Sequence, residues 1–215
     1  MNTHTIILAA GKGTRMNTNL PKVMQPLGGK SLIAHVISTA QDISKKVTVV
    51  VGHQKDLLKE HLAEIDPNII TVNQEKQHGT AHAVKTASHL IQDDEKVLIL
   101  YGDVPLISNK TIQLLLDSEN KCTLLSMTLS DPTGYGRVIS NEENLALKII
   151  EQKDASEDER KIKEVFTGIL LIDGSLLRPA LEEINNQNAA NEYYLTDLVE
   201  ILSSKGVKIN CIQAN

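Results

Sequence analysis

Short apolar runs rich in β-branched residues alternate along this chain with stretches in which apolar positions recur every three or four residues. The runs Thr5–Ala9, Val47–Val51, Ile69–Asn73, Val97–Tyr101, Thr123–Leu129, Leu147–Glu151 and Gly168–Ile172 predict strands. Helix-like stretches lie between most of them. Ser31–Gln41 places Leu32, His35, Val36 and Ala40 on one face, and Gln54–Ile65 does the same with Leu57, Leu58, His61, Leu62 and Ile65. Ala81–Ile91, Lys110–Ser118 and Leu195–Ser203 repeat the period. Such alternation predicts an α/β fold, with a mixed, mainly parallel central sheet flanked by helices and right-handed crossovers. The unbroken run Val97-Leu98-Ile99-Leu100 reads as a strand covered on both faces.

The pattern changes after Leu129. Two turn-rich stretches, Ser130–Gly136 and Ser140–Asn144, are followed by a dense charge run, Glu151–Glu164, that reads as a solvated helix or loop. Strands then return without regular crossovers. The expectation is one domain over residues 1–215, with a nucleotide-type half over about 1–110 and a mixed-sheet half over about 111–215 that carries the second substrate.

Composition narrows the chemistry. With 215 residues, 41% apolar and 23% charged, the chain can bury a core without staples. A net charge of −5 and only four Tyr and one Phe, with no Trp, exclude a generic nucleic-acid binder. The longest apolar runs, Ile6–Ala10 and Val97–Tyr101, fall far short of the roughly 20 residues a membrane helix needs. The chain enters its first strand without a basic leader, and Cys122 and Cys211 form no framework; both read as buried apolar thiols of a cytoplasmic protein.

In open α/β sheets ligands bind beyond the carboxyl ends of strands, which singles out Gly11–Arg15, Gln74–Thr80, Gly102–Pro105 and the stretch around Gly134–Arg137. After the first strand, Gly11-Lys12-Gly13-Thr14-Arg15 lets the backbone turn tightly and bring N–H groups to an anion, with Arg15 as a fork for phosphate oxygens. Met16 breaks the dinucleotide fingerprint. Lys22 can fold back onto the same anion, giving two cations for a polyphosphate. Asp103 ends the most apolar strand, where a carboxylate needs water or a partner; a hard cation such as Mg²⁺ would satisfy it. Gly28-Gly29-Lys30-Ser31 imitates the end of a P-loop, but Met24 stands where its first Gly belongs, so a turn with Ser31 as helix N-cap is expected. His78 and His82, four apart, have no nearby third ligand and read as surface or core histidines.

These motifs, in this order, resemble sugar-1-phosphate nucleotidyltransferases. More closely they resemble the uridyltransferase domain of the bacterial bifunctional N-acetylglucosamine-1-phosphate uridyltransferase/glucosamine-1-phosphate acetyltransferases. The resemblance rests on Leu8–Met16 with Leu20-Pro21-Lys22, Gln77–Ala83, Tyr101–Leu106, Asp131–Arg137, Glu151–Ala155 and Asn191–Asp197, and it spans essentially the whole chain. It implies a Rossmann-like nucleotide-diphospho-sugar transferase fold. It also implies that Leu8, Ala9, Ala10, Gly11, Gln74, Gly79 and Thr80 hold uridine, that Arg15 and Lys22 hold phosphates, that Gly102 and Asp103 contact substrate, and that Asp103 binds Mg²⁺. Tyr101, Gly136 and Glu151 would contact the N-acetylglucosamine moiety. The implied reaction joins UTP and N-acetylglucosamine-1-phosphate into UDP-N-acetylglucosamine, releasing pyrophosphate.

Phe166 stands where the family carries a sugar-contacting Asn, and a phenyl ring can pack on a sugar face but cannot supply an amide's hydrogen bonds. The family's second protein ligand to Mg²⁺, an Asn beyond the last strand, does not align with Asn215, and the β-helix acetyltransferase domain has no counterpart in these residues. A monomer is expected without it. Two other readings are kept: transfer to another sugar-1-phosphate, and a nucleotide-binding domain with little turnover.

Overall fold

A computed structural model describes residues 2–13 and 20–214. The sheet begins with β1 (Thr3–Ala9), β4 (Lys46–Val51), β5 (Ile70–Asn73) and β6 (Lys96–Tyr101), all parallel, in spatial order β6-β1-β4-β5. The helices α1 (Leu32–Ile43), α2 (Lys55–Ile65) and α3 (Thr80–Thr86) make the crossovers. Beyond β6 the order continues with β10 (Glu164–Asp173), β7 (Cys122–Thr128) and β11 (Ile209–Gln213). β10 runs antiparallel to both β6 and β7, and the hairpin β8 (Arg137–Ser140) and β9 (Ala146–Ile150) hangs from it.

Helices cover both faces, because alternate residues of each strand must bury in opposite directions. Ile7, Val49 and Leu98 pack under α1, α2 and α4 (Asn109–Leu116) through Ile33, Ile37, Leu58, Leu62 and Ile112. Ile6, Val50 and Ile99 pack under α3, α5 (Gly174–Glu183) and α6 (Asp197–Ser204) through Val84, Leu177 and Leu198. The mixed, mainly parallel sheet expected from the alternation is present. α1 corrects one expectation: it buries Ile33, Val36, Ile37 and Ala40, so Leu32 and His35 lie off the buried face, and the His35 ring bonds the Leu27 carbonyl instead (2.8 Å).

Two short strands, β2 (Pro26–Leu27) and β3 (Lys30–Ser31), form a hairpin turned by Gly28 and Gly29, both at positive φ. The Ser31 hydroxyl accepts from Ala34 N–H and caps α1, as the P-loop imitation required. The charge run carries only a short 3₁₀ turn, Glu159–Lys161, with no buried residue. Cys122 is buried, but Cys211 is only half-buried and its Sγ donates to Glu164 Oε1 (3.2 Å).

Candidate active site

The cavity of interest opens at the carboxyl ends of β1, β5 and β6. β1 leads into Ala10–Gly13, and Gly13 sits at φ +57°, where a Cβ would stand 2.7 Å from the Lys22 Cβ. Glycine therefore lets the loop lie against the Lys22 stem. Lys22 Nζ is ion-paired with Asp103, just past β6. Lys22 is 43% exposed and Asp103 25%, so both charges remain open to a ligand. Arg15 lies outside the described residues.

Gln74 follows β5 and is 3% exposed. Its backbone N–H donates to Val51 carbonyl (2.7 Å), and its Nε2 meets two acceptors, Gly79 carbonyl (3.0 Å) and His82 Nδ1 (2.9 Å). Gly79 holds φ +112°, and a Cβ there would fall 2.5 Å from the Tyr193 carbonyl oxygen. The segment before α6 lies directly on this turn. Tyr193 N–H donates to His78 carbonyl (2.7 Å), Ala81 N–H to Tyr193 carbonyl (2.9 Å), and Leu195 N–H to Thr80 Oγ1 (3.0 Å).

Leu8, Ala9, Ala10, Gly11, Lys22, Gln74, Gly79, Thr80, Tyr101 and Asp103 thus line one cavity of about 520 Å³. Lys12, Gln77 and Glu192 line it too. They fall within the motifs that carried the resemblance, but no role was assigned to them. Tyr101 is pushed up by burial and by the Glu151 charge, and its ring fills the space over Gly168, whose Cβ would stand 2.8 Å from it. Gly168, at φ +91°, lies within an irregularity of β10 between Phe166 and Leu170. The bulge therefore clears room for the tyrosine ring.

Four expected residues do not line this cavity. Gly102 is a packed turn: its N–H donates to Leu8 carbonyl (3.0 Å), and a Cβ would approach Val23 Cγ1 at 3.1 Å. Gly136 and Glu151 form a neighbouring group, since a Gly136 Cβ would stand 3.5 Å from Glu151 Oε1, which accepts from Thr196 Oγ1 (3.0 Å). Phe166 is 8% exposed and packs in the core with Val138, Ile149 and Leu170. On a buried strand an aromatic gains more from core packing than from solvent.

Glu151 also borders a second cavity of about 530 Å³, with Asp154, Tyr194, Asp197 and Glu200 among its walls. Crowded acids destabilise one another there. Glu151 is raised by burial, and Asp197 is pushed up to about 6 by burial and then by Glu151, Glu200 and Asp154.

Behind this group lies Arg137, 1% exposed. Its guanidinium donates to Tyr135 carbonyl, to Gln152 Oε1 (2.7 Å) and to Arg160 carbonyl (3.3 Å). It thereby ties the turn before β8 to the segment after Glu151. Arg137 closes the Asp131–Arg137 motif, and an arginine flanked by strand residues is the signal in the sequence that points to it.

Among the described residues no three His, Cys, Asp or Glu side chains gather as a metal set. Asp103 offers one carboxylate at the wall of the cavity, which suits an ion that takes one or two carboxylates and completes its shell with water and substrate phosphates.

Residues 5–190 match the MobA-like NTP transferase domain. The chain is 45% identical over 214 residues to the bifunctional protein GlmU of Clostridioides difficile (strain 630), covering 97% of this chain and 46% of that protein. The chain therefore spans about half the length of this curated relative. Its fold matches that of a UDP-glucose pyrophosphorylase complexed with UDP-glucose, with TM-score 0.82 and 19% identity over 100% of this chain and 91% of that one. A putative glucose-1-phosphate thymidylyltransferase from Bacillus anthracis, in complex with a sucrose, matches with TM-score 0.75 and 17% identity over 99% of this chain and 87% of that one. These likenesses place the chain in the Rossmann-like nucleotidyltransferase fold.

Proposed function

The chain belongs to the MobA-like NTP transferase domain family, and on that premise we propose that it forms UDP-N-acetylglucosamine and pyrophosphate from UTP and N-acetylglucosamine-1-phosphate. One observation carries the reading. Residues from separate stretches, Leu8–Gly11, Lys22, Gln74, Gly79–Thr80 and Asp103, are among those the resemblance assigns to uridine, phosphate and metal, and they line one cavity together with Tyr101, which it assigns to the sugar. The 45% identity with GlmU over almost the whole chain supports the same branch of the family.

The chemistry asks little covalent help from the protein. A phosphate oxygen of the sugar phosphate attacks the α-phosphorus of UTP in line, the bond from that phosphorus to the bridging oxygen of the β-phosphate breaks, and pyrophosphate leaves. The protein's part is positioning and charge neutralisation. The backbone at Gly11–Gly13 lies close to the phosphates. Lys22 and Arg15 balance their charge, and Lys22 leaves its pairing with Asp103 to do so. Asp103 would hold Mg²⁺, which when bound neutralises phosphate charge. Tyr101, Gly136 and Glu151 receive the N-acetylglucosamine moiety. Among the described residues no helix is long and apolar enough to cross a membrane. We place the reaction in the cytoplasm.

The test is pyrophosphate release with UTP, N-acetylglucosamine-1-phosphate and Mg²⁺, each omitted in turn. Release is expected only when all three are present. Release that does not depend on the sugar phosphate would overturn the assignment.

A further inference from the structure

We propose that His82 sets which pyrimidine the cavity accepts, by locking the Gln74 amide so that it offers an acceptor and thereby selects a base bearing N3–H, such as uracil, over cytosine. The inference rests on reading the first cavity as the UTP site. His82 would be a positioning residue, acting through Gln74 and not on the nucleotide itself.

An amide side chain presents two faces of opposite hydrogen-bonding sense, and a pocket that reads a base must prevent it from turning over. Gln74 is almost fully buried and lines the cavity. Its Nε2 carries two protons, one directed to the Gly79 carbonyl (3.0 Å) and the other to His82 Nδ1 (2.9 Å). Both donors are thus committed. Oε1 has no hydrogen-bond partner among the described residues, which leaves it as the amide atom able to meet a ligand. Gly79 alone would hold one proton and leave the second without an acceptor. With His82 as the second acceptor, neither proton is free.

That arrangement requires His82 to be neutral with its proton on Nε2. The surroundings favour this. Burial, the neighbouring His78 ring and Lys85 all hold His82 below its ordinary value. Lys85 is itself paired with Glu182 (2.6 Å). The ring's position is also fixed, edge-on to His78 (centroids 5.2 Å) and tilted against Tyr193 (6.4 Å). An acceptor held at Gln74 pairs with the N3–H of uracil. Against cytosine it meets the unprotonated N3, lone pair to lone pair. Negative discrimination of this kind is stronger than the loss of an apolar contact, because a buried polar atom is left opposed.

The test compares kcat/KM for UTP and for CTP, with N-acetylglucosamine-1-phosphate as the second substrate, in the wild-type chain, His82→Asn and His82→Leu. Asn places Oδ1 where the imidazole places Nδ1, whereas Leu keeps the branching and removes the acceptor. We expect the wild type to prefer UTP and the Asn variant to keep most of that preference. The Leu variant should lose roughly tenfold to a hundredfold of the UTP/CTP ratio, the scale of one opposed buried hydrogen bond. His82→Ala, which also lacks the acceptor, carries the same expectation if thermal melting shows the Leu variant unfolded. A ratio unchanged in the variant that lacks the acceptor overturns the proposal. So does an Asn variant that loses as much as Leu, since the ring's packing on Tyr193 would then be responsible. A wild type that does not favour UTP, or uses neither nucleotide, overturns the reading of the cavity together with this one.

Discussion

The two halves of the sheet are built by different rules. Strands β6, β1, β4 and β5 are parallel and local: each is followed by a helix, and β1, β5 and β6 deliver residues of the first cavity at their carboxyl ends. Strands β7, β8, β9 and β10 pair mainly antiparallel, and β10 reaches the same sheet only after the long charged segment. Topology forces the first half's site, since strand ends must meet along one edge. Side-chain anchors hold the second half's site, chiefly Arg137 behind the turn and Thr196 on Glu151. On the proposed function, the comparison teaches that the nucleotide's residues are brought together by strand topology, whereas the sugar's residues are held in place by side-chain anchors.

The largest effect should come from the parallel half. Lys22→Ala is expected to lower kcat/KM for both substrates by roughly tenfold or more, the scale of a lost charge-assisted contact to phosphate. Pyrophosphate release measures it, and near-normal rates in a folded variant would remove Lys22 from the phosphate site. Glu151→Ala should break the symmetry between the halves. KM for the sugar phosphate should rise by about tenfold while KM for UTP stays within about twofold. A parallel rise in both would mean that the halves do not divide the substrates.

The smallest effect lies at the opposite, strand-start end of the sheet. His4 is buried between Glu95 (2.9 Å) and Thr48 (2.8 Å), and desolvation holds it below its ordinary value of 6.5. Since the folded state then binds the proton less well than the unfolded one, stability is full above about pH 6.5. It falls as pH drops below that value, until the lowered folded pKa is passed. Denaturant unfolding at pH 7.5 and pH 5.5 should show this loss, and a smaller one for His4→Gln. Equal losses in both chains would exclude His4 as the source.

Much of the parallel half was legible in the sequence because each strand is a short β-branched run, and three of them close on small, amide or acidic residues: Ala9–Gly11, Asn73–Gln74, Gly102–Asp103. The antiparallel half was less so. β8 carries Arg137 where a core residue would be expected, β11 alternates with Asn210 and Gln213 at an edge, and the start of β10 at Glu164–Thr167 precedes its bulge. α5 was missed for a physical reason. It opens on Gly174, where a Cβ would fall 2.0 Å from Gln92 carbonyl oxygen, and carries Pro179 inside, so it reads as a broken segment although it is a helix. Phe166 had a clear place in the motif, but which face of β10 it takes depends on pairing with β7 and β8, which no local pattern reveals.

The strap that Tyr193 and Leu195 lay over Gly79 and Thr80 has a temporal consequence. The corner proposed to bind the base is closed by residues more than a hundred positions downstream, so it does not exist until that part of the chain has been made and docked. On the proposed function, nucleotide affinity is acquired only once Tyr193 and Leu195 have been made and docked, and a bound nucleotide in turn resists peeling of α6.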